Sequence, residues 1–369
     1  MDLEEIPYAG VRWNAEGVYH RDTVSTKGIT GKAVYRIEKD DVVYNHMWPT
    51  KAAFGVVKED AAGCYVTNHF PLFTVKPHVV IPAFVEATFQ YPEFQAEAAR
   101  RAVGTTERKQ ISNAAFASLP IWVPPLSAQR RIVEIIGAVD SQIAALDGEA
   151  GALEGVYRAA MSLLWRTADG VEAGLRFLGD VMQLDVVRTP MEAGTTYHLA
   201  GVLNAGRGLV DKGAFDGDDT EYTAMNVLRE DQVVMRKLTA WEGPITVVPA
   251  EFGGFVASNE FPTFTLSADI APSWIKHVCR TPRLWAEMQS RVVGTVQRRK
   301  RLNPDQLLSV ALPIPPRPRQ EQVAEVLGAI EEQIAAIRAE ADELRRARAG
   351  LLSGLLDRTI EIESAEQEV

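Results

Sequence analysis

The chain repeats itself, and the repeat runs through most of its length. Residues Gln129–Leu146 align without gaps on Gln320–Ile337, an offset of 191. Gln129, Glu134, Gly137, Ala138, Gln142, Ile143, Ala144 and Ala145 recur identically, and most other positions exchange one aliphatic residue for another. Upstream, Arg101–Lys109 aligns with Arg291–Arg299, and Val66–Thr74 with Ala257–Thr265. Small drifts in offset are what loop insertions produce. Two copies are too few for a solenoid. They predict a molecule with two like halves, and so a target or partner with two like halves.

Each copy ends in a long amphipathic segment. In the first, Ile132, Ile136, Val139, Ile143 and Leu146 recur at spacings of four and three; in the second, Val323, Leu327, Ile330, Ile334 and Ile337 do the same. Carried further, the seam meets one polar exception, Arg348. A seam of this length predicts a helix of ~50 Å that needs a facing helix. The other reading is a helix packed only on its own domain. Pro-rich lead-ins, Val123–Leu126 and Ile314–Pro318, force an extended approach, with Ser127 a candidate N-cap. Gly148, Gly151 and Gly155 weaken the first helix by about 1 kcal/mol each relative to Ala.

Between the helices the chain reads as mixed α/β. Short β-rich stretches (Ala33–Ile37, Val42–Tyr44, Phe54–Val57, Tyr65–Thr67, Leu72–Val75) alternate with Gly, Pro and Asn. Helices are expected near 92–103 and 282–293.

At 369 residues the length predicts two or three domains. No apolar run is long enough for a bilayer, and the first residues carry neither the basic flank nor the apolar core of a secretory signal. Cys64 and Cys279 stand far apart, outside metal-ligand spacing, which fits a reducing cytoplasm. A net charge of −10 counts against a nucleic-acid binder unless a basic surface is local, since acidic residues crowd the helices and the tail.

No catalytic constellation emerges. His20-Arg-Asp22 lacks every companion motif of a kinase, and Gly28–Lys32 is too short for a phosphate-binding loop. Asn303-Pro-Asp-Gln lacks the aromatic of an adenine methyltransferase loop and reads as a helix start. Polar side chains recur instead at matching places. Arg108 and Lys109 in the first copy become Arg298, Arg299, Lys300 and Arg301 in the second, suited to phosphates or guanine edges, or else a solvated cluster. Asn68, His69 and Asn259 precede a Phe-Pro turn and suit base edges, or simply form the turn. Asn204 and Arg207, with Tyr8, Arg12, Tyr197 and His198, are weaker candidates near the domain starts.

Leu119–Val133 and Leu312–Val323 resemble the Leu-Pro-Ile-x-Pro-Pro-Leu-x-Glu-Gln-x-Arg-Ile-Val entry into the conserved helices of type I restriction–modification specificity subunits. Leu178-Gly-Asp-Val181 resembles a family domain opening. The resemblance covers about residues 6–360. It implies an α+β protein: two mixed α/β target-recognition domains separated by a long antiparallel two-helix coiled coil. The expected bounds are 1–118 and 169–311 for the domains, 119–168 and 312–360 for the helices, and 361–369 for an acidic tail. It further implies that the chain is not an enzyme. Each domain would read half of a bipartite double-stranded DNA sequence while the helices dock two methyltransferase subunits. Those would carry S-adenosylmethionine, the present chain holding no cofactor or metal, and restriction subunits could join the complex in the cytoplasm. The rival is a bivalent protein-binding scaffold that never touches DNA. There are departures from the family pattern. The first copy has no counterpart of Arg176–Val181, and the family's glutamate before the helix-start glutamine is Ala128 in one copy and Arg319 in the other.

Overall fold

A computed structural model describes residues 5–25, 33–104, 109–293 and 300–361. The chain forms two compact units, Met1–Gly148 with Arg338–Val369, and Glu149–Ile337. Their boundaries fall within the two long helices.

Unit 1 begins with a hairpin of β1 (Glu5–Val11) and β2 (Val18–Ser25), followed by β3 (Val34–Arg36), β4 (Asp41–Tyr44), β5 (Phe54–Val56), β6 (Tyr65–Thr67) and β7 (Leu72–Thr74). These make two sheets, ordered β2-β1-β6-β3 and β5-β4-β7. Then come α1 (Pro82–Phe89), α2 (Pro92–Arg100), α3 (Asn113–Ala117) and the long α4 (Leu126–Ala160). Proline opens α1 and α2, where its missing N–H costs nothing. The Ser112 hydroxyl caps α3 by accepting from Ala115 N. α4 starts two residues earlier than a Ser127 cap requires, so Ser127 lies inside its first turn.

Unit 2 adds β8 (Leu175–Phe177), β9 (Met182–Leu184) and β10 (Val187–Pro190) before it repeats the plan of unit 1. β11 (Thr196–Val202) and β12 (Leu209–Asp216) form the hairpin; β13 (Ala224–Val227), β14 (Val233–Met235), β15 (Ile245–Val247), β16 (Val256–Ala257) and β17 (Thr263–Leu266) follow. Next come α5 (Pro272–Val278), α6 (Pro282–Arg291), α7 (Pro304–Leu308), β18 (Ala311–Pro313) and α8 (Arg317–Leu356). The Gln306 side chain caps the start of α7, its Oε1 accepting from Asn303 N at 2.7 Å.

The repeat holds at the level of hydrogen-bond register. Tyr8 pairs in parallel with Tyr65, and Leu199 with Val256. Both hairpins slip register at the same point, after Tyr8 and after His198. Their turns share positive φ, 55° at Asn14 and 56° at Ala205. Unit 2 is the larger because Leu175–Pro190 supplies extra strands: β8 pairs with β18, β9 extends the β14 sheet beside β17, and β10 extends the β13 sheet. Among the described residues unit 1 has no strand in these places, and the segment equivalent to β18, around Pro120–Trp122, is irregular.

Each unit closes its core against parts of both helices. In unit 1, Phe84 and Ala87 of α1 pack with Ile132 and Ile136 of α4 and with Leu352, Leu355 and Leu356 of α8. In unit 2, Trp274 of α5 packs with Leu164, Val323, Ala324 and Leu327, and its indole N–H donates to Leu164 O at 3.2 Å. Of the seam residues, Ile132, Ile136, Ile143, Leu146, Val323, Leu327, Ile334 and Ile337 are buried, while Val139 and Ile330 are half-buried. Within unit 1 the helices run in opposite senses, since Asp140 pairs with Arg348 and Asp147 with Arg345.

Candidate nucleic-acid interface

In unit 1, three segments distant in sequence are laced together by their backbones. His46 N donates to His69 O at 3.2 Å, and Ile111 N donates to His46 O at 3.0 Å. An antiparallel bridge pairs Val103 with Gln110. This brings His46, Asn68, Arg101, Gln110, Ser112 and Asn113 around a shallow cleft of about 620 Å³. The His46 and His69 rings lie 5.2 Å apart. Burial, then the neighbouring His69, holds His46 below the ordinary histidine range, so it is a neutral donor and acceptor at pH 7. Arg101 is already tied to Glu97 at 2.7 Å and to Ser118. Asn68, His69, Gln110, Ser112 and Asn113 are exposed.

Unit 2 builds the same lacing with different side chains. Lys237 N donates to Glu260 O at 2.9 Å, Leu302 N donates to Lys237 O at 3.0 Å, and Val293 bridges Arg301. Lys237, Glu260 and Arg301 thus stand where His46, His69 and Gln110 stand in unit 1. Glu260 Oε1 lies 3.4 Å from Arg301 Nη2 and 3.8 Å from Lys237 Nζ. The Arg301 side chain keeps 49% of its surface exposed, so the carboxylate steadies a guanidinium that still faces solvent.

The structure therefore groups several of the sequence candidates. Asn68 and His69 lie beside the segment of Lys109, and Asn259 lies beside that of Lys300 and Arg301. Lys109 and Lys300 are half-buried. Arg108, Arg298 and Arg299 lie outside the described residues, as do Gly28–Lys32 and most of the acidic tail. Asn204 is engaged at both ends of its amide, donating to Glu242 at 2.8 Å and accepting from Arg236 at 2.8 Å. Arg207 belongs to another cleft of unit 2, about 420 Å³, with Lys276, Arg280, Asp231 and Glu251. Tyr8 and Tyr197 are in local contacts, beneath Arg21 and donating to Pro190 O respectively.

Sequence reasoning overlooked the role of Gln129 and Gln320. Both are fully buried at the helix starts. Gln129 Oε1 accepts from Ile81 N at 2.8 Å, and its Nε2 donates to Val79 O and Pro124 O. Gln320 repeats all three bonds, with Ala271 N, Asp269 O and Pro315 O. Each glutamine staples its helix to the loop that launches the α1 or α5 helix. The available signal was an identical glutamine just after a Pro-Pro lead-in, in both copies.

Nothing in these surfaces is arranged as a nucleophile with a base. Cys64 and Cys279 are buried, and burial pushes both thiols up, Cys279 to about 12, away from reactivity. Among the described residues no cluster of three or more His, Cys, Asp or Glu can hold a metal ion, and no helix is long and apolar enough to cross a membrane.

Two like mixed α/β units sharing two long helices, with the same polar surface built twice from different side chains, define a duplicated scaffold with two variable faces. Residues 4–154 match the type I restriction modification DNA specificity domain. The chain is 25% identical over 172 residues to the type I restriction enzyme HindI specificity subunit of Haemophilus influenzae, a match spanning 45% of this chain and 36% of that protein's length. The fold is similar to that of the HsdS subunit from Thermoanaerobacter tengcongensis (TM-score 0.51, 15% identity, covering 96% of this chain and 91% of that one). It is similar also to the S subunit from M. genitalium (TM-score 0.55, 13% identity, 95% and 94%). A third neighbour comes from a structural study of assembly and conformational transition in the type I R-M system (TM-score 0.61, 15% identity, 95% and 91%). Residues 4–154 therefore carry a type I restriction modification DNA specificity domain.

Proposed function

We propose that this chain is the non-catalytic, DNA-sequence-recognition subunit of a type I restriction–modification complex. Residues 1–118 and 169–311 would be its target-recognition domains, each reading one half of a bipartite site. The segments 119–168 and 312–360 would form an antiparallel coiled coil that sets the unread spacer and docks two methyltransferase subunits. S-adenosylmethionine and the methyl-transfer chemistry would reside in those partners, and cleavage in restriction subunits where they are present. One observation carries the reading: the backbone lacing of His46, His69 and Gln110 is repeated by Lys237, Glu260 and Arg301. A scaffold kept while its outward side chains change is what reading two different sequences on one plan requires.

The net charge of −10 fits a subunit whose partners supply much of the phosphate neutralisation. The test is methylation mapping in cells with and without this gene, beside its active methyltransferase. Loss of adenine methylation at one bipartite motif is expected on deletion. An unchanged methylation pattern would overturn the proposal.

A further inference from the structure

The two laced surfaces differ at one position in a way that assigns bases. Gln110 and Arg301 occupy the same place, each the second partner of an antiparallel bridge, with Val103 and with Val293. Both side chains are exposed. Gln110 opens onto a cleft that also holds the amide of Asn68. A glutamine amide offers one donor edge and one acceptor edge, the complement of adenine N7 and N6 in the major groove. A guanidinium offers donors only, in a fork that matches guanine O6 and N7. Glu260 restrains Arg301 from one side, which lowers the entropy lost when the fork is fixed on a base. The neighbouring positions follow the same division. His46 and His69 can each donate and accept, whereas Lys237 adds a second cation beside Arg301.

We infer that positions 110 and 301 are equivalent base-reading positions, Gln110 reading an adenine in one half-site and Arg301 reading a guanine in the other. This rests on the DNA-reading function proposed above and names the residues that set its specificity.

The test uses the full chain, co-expressed with its methyltransferase, and reads the methylated motif across a genome. Gln110→Arg is expected to change the preferred base at one position of one half-site from adenine to guanine, leaving the other half-site as it was. Arg301→Gln is expected to weaken the guanine preference in the other half-site at least tenfold. Arg301→Lys keeps a cation against Glu260 but lacks the fork. It guards against misfolding, and should relax the same guanine position while methylation continues. Variants that methylate the wild-type motif unchanged would overturn the inference. So would a uniform loss of methylation at all sites with purified variants folded as wild type, because that marks a phosphate contact. If the wild-type chain directs no bipartite methylation, the functional proposal itself falls, a result distinct from either.

Discussion

Where α1 or α5 meets the long helices, the repeat keeps a carboxylate and moves its cation. In unit 1, Asp140 on α4 is paired by Arg348 from α8, at 2.8 Å for Nη2, and Arg348 also donates to Gln90 at 2.7 Å. In unit 2 the equivalent carboxylate is Glu331 on α8. The residue equivalent to Arg348 is Tyr157, and the cation comes instead from Arg280, at the position of Gln90. A histidine, His277, fills the place of Ala87 and lies 3.1 Å from the Tyr157 hydroxyl. The lesson is that a duplicated scaffold conserves the need for a paired charge, not the residue that meets it. Arg348 breaks the apolar seam for this reason.

The largest expected effects fall where the two units agree. Gln129→Leu or Gln320→Leu leaves one backbone N–H and two carbonyls without their partners, at about 1–3 kcal/mol per group left buried. A loss of roughly 3 kcal/mol or more is expected in the unit carrying the change. Hydrogen exchange at Ile81 or Ala271 would reveal it, together with the denaturant midpoint. Equal losses from both variants would support the repeat as an energetic equivalence, and a loss in only one would break it.

Next comes a difference in acid stability. Burial, opposed by Glu331 and aided by Arg280 and Lys276, depresses His277 to about 4. The folded state therefore prefers the neutral ring, while the unfolded chain takes up a proton at the ordinary value near 6.5. Stability from this site is complete above that value and is lost as pH falls toward 4, by roughly 3 kcal/mol in all. Ala87, at the equivalent place in unit 1, has no titrating group. Denaturant melts of wild type and His277→Ala between pH 7 and pH 4.5 should show the slope flattened in the variant. An unchanged slope would assign acid sensitivity elsewhere.

The cation swap itself is a smaller effect. Arg348→Ala strips Asp140 and Gln90 of their partner at a site where Arg348 is 18% exposed and Asp140 is 49% exposed. With the carboxylate still reaching solvent, the expected loss is about 1–2 kcal/mol. The double change Arg348→Tyr with Gln90→Arg imports the arrangement of unit 2 and should recover at least half of it. If Arg348→Tyr alone recovers as much, the cation at position 90 is not what the carboxylate needs.

Much of this architecture was legible from residue patterns. The stretches around Val34–Arg36, Asp41–Tyr44, Phe54–Val56, Tyr65–Thr67 and Leu72–Thr74 are strands, and Pro92 and Pro282 open helices where the spacing places them. β-branched runs between turn residues and a 3.6-residue period are local signals. The hairpin of β1 and β2 was less visible, because its β2 strand is polar and largely exposed (Val18–Ser25) and lacks an apolar alternation. The interface was legible only in pieces. Asn68, His69 and the basic run after Gly104 stood out by recurrence, but that His46 and Lys237 join them depends on pairing between segments far apart in sequence. Asn204 looked available because its partners, Arg236 and Glu242, are remote in the chain.

The smallest expected effect concerns the two helices. Positions 148, 151 and 155 of α4 are glycine, where the equivalent positions of α8 are Ala339, Asp342 and Arg346. α4 nevertheless runs unbroken through them. A methyl group added at Gly151 would meet nothing within 4 Å. Gly151→Ala should therefore stabilise the chain by about 0.5–1 kcal/mol, through the smaller entropy lost on fixing alanine in a helix. Thermal melts of the isolated chain measure this directly. In the proposed complex the same variant sharpens the comparison further. If stability rises while methyltransferase docking falls, the bare stretch of α4 is a seat for the partner that α8 offers elsewhere. If both are preserved, the glycines are neutral differences between two equivalent struts.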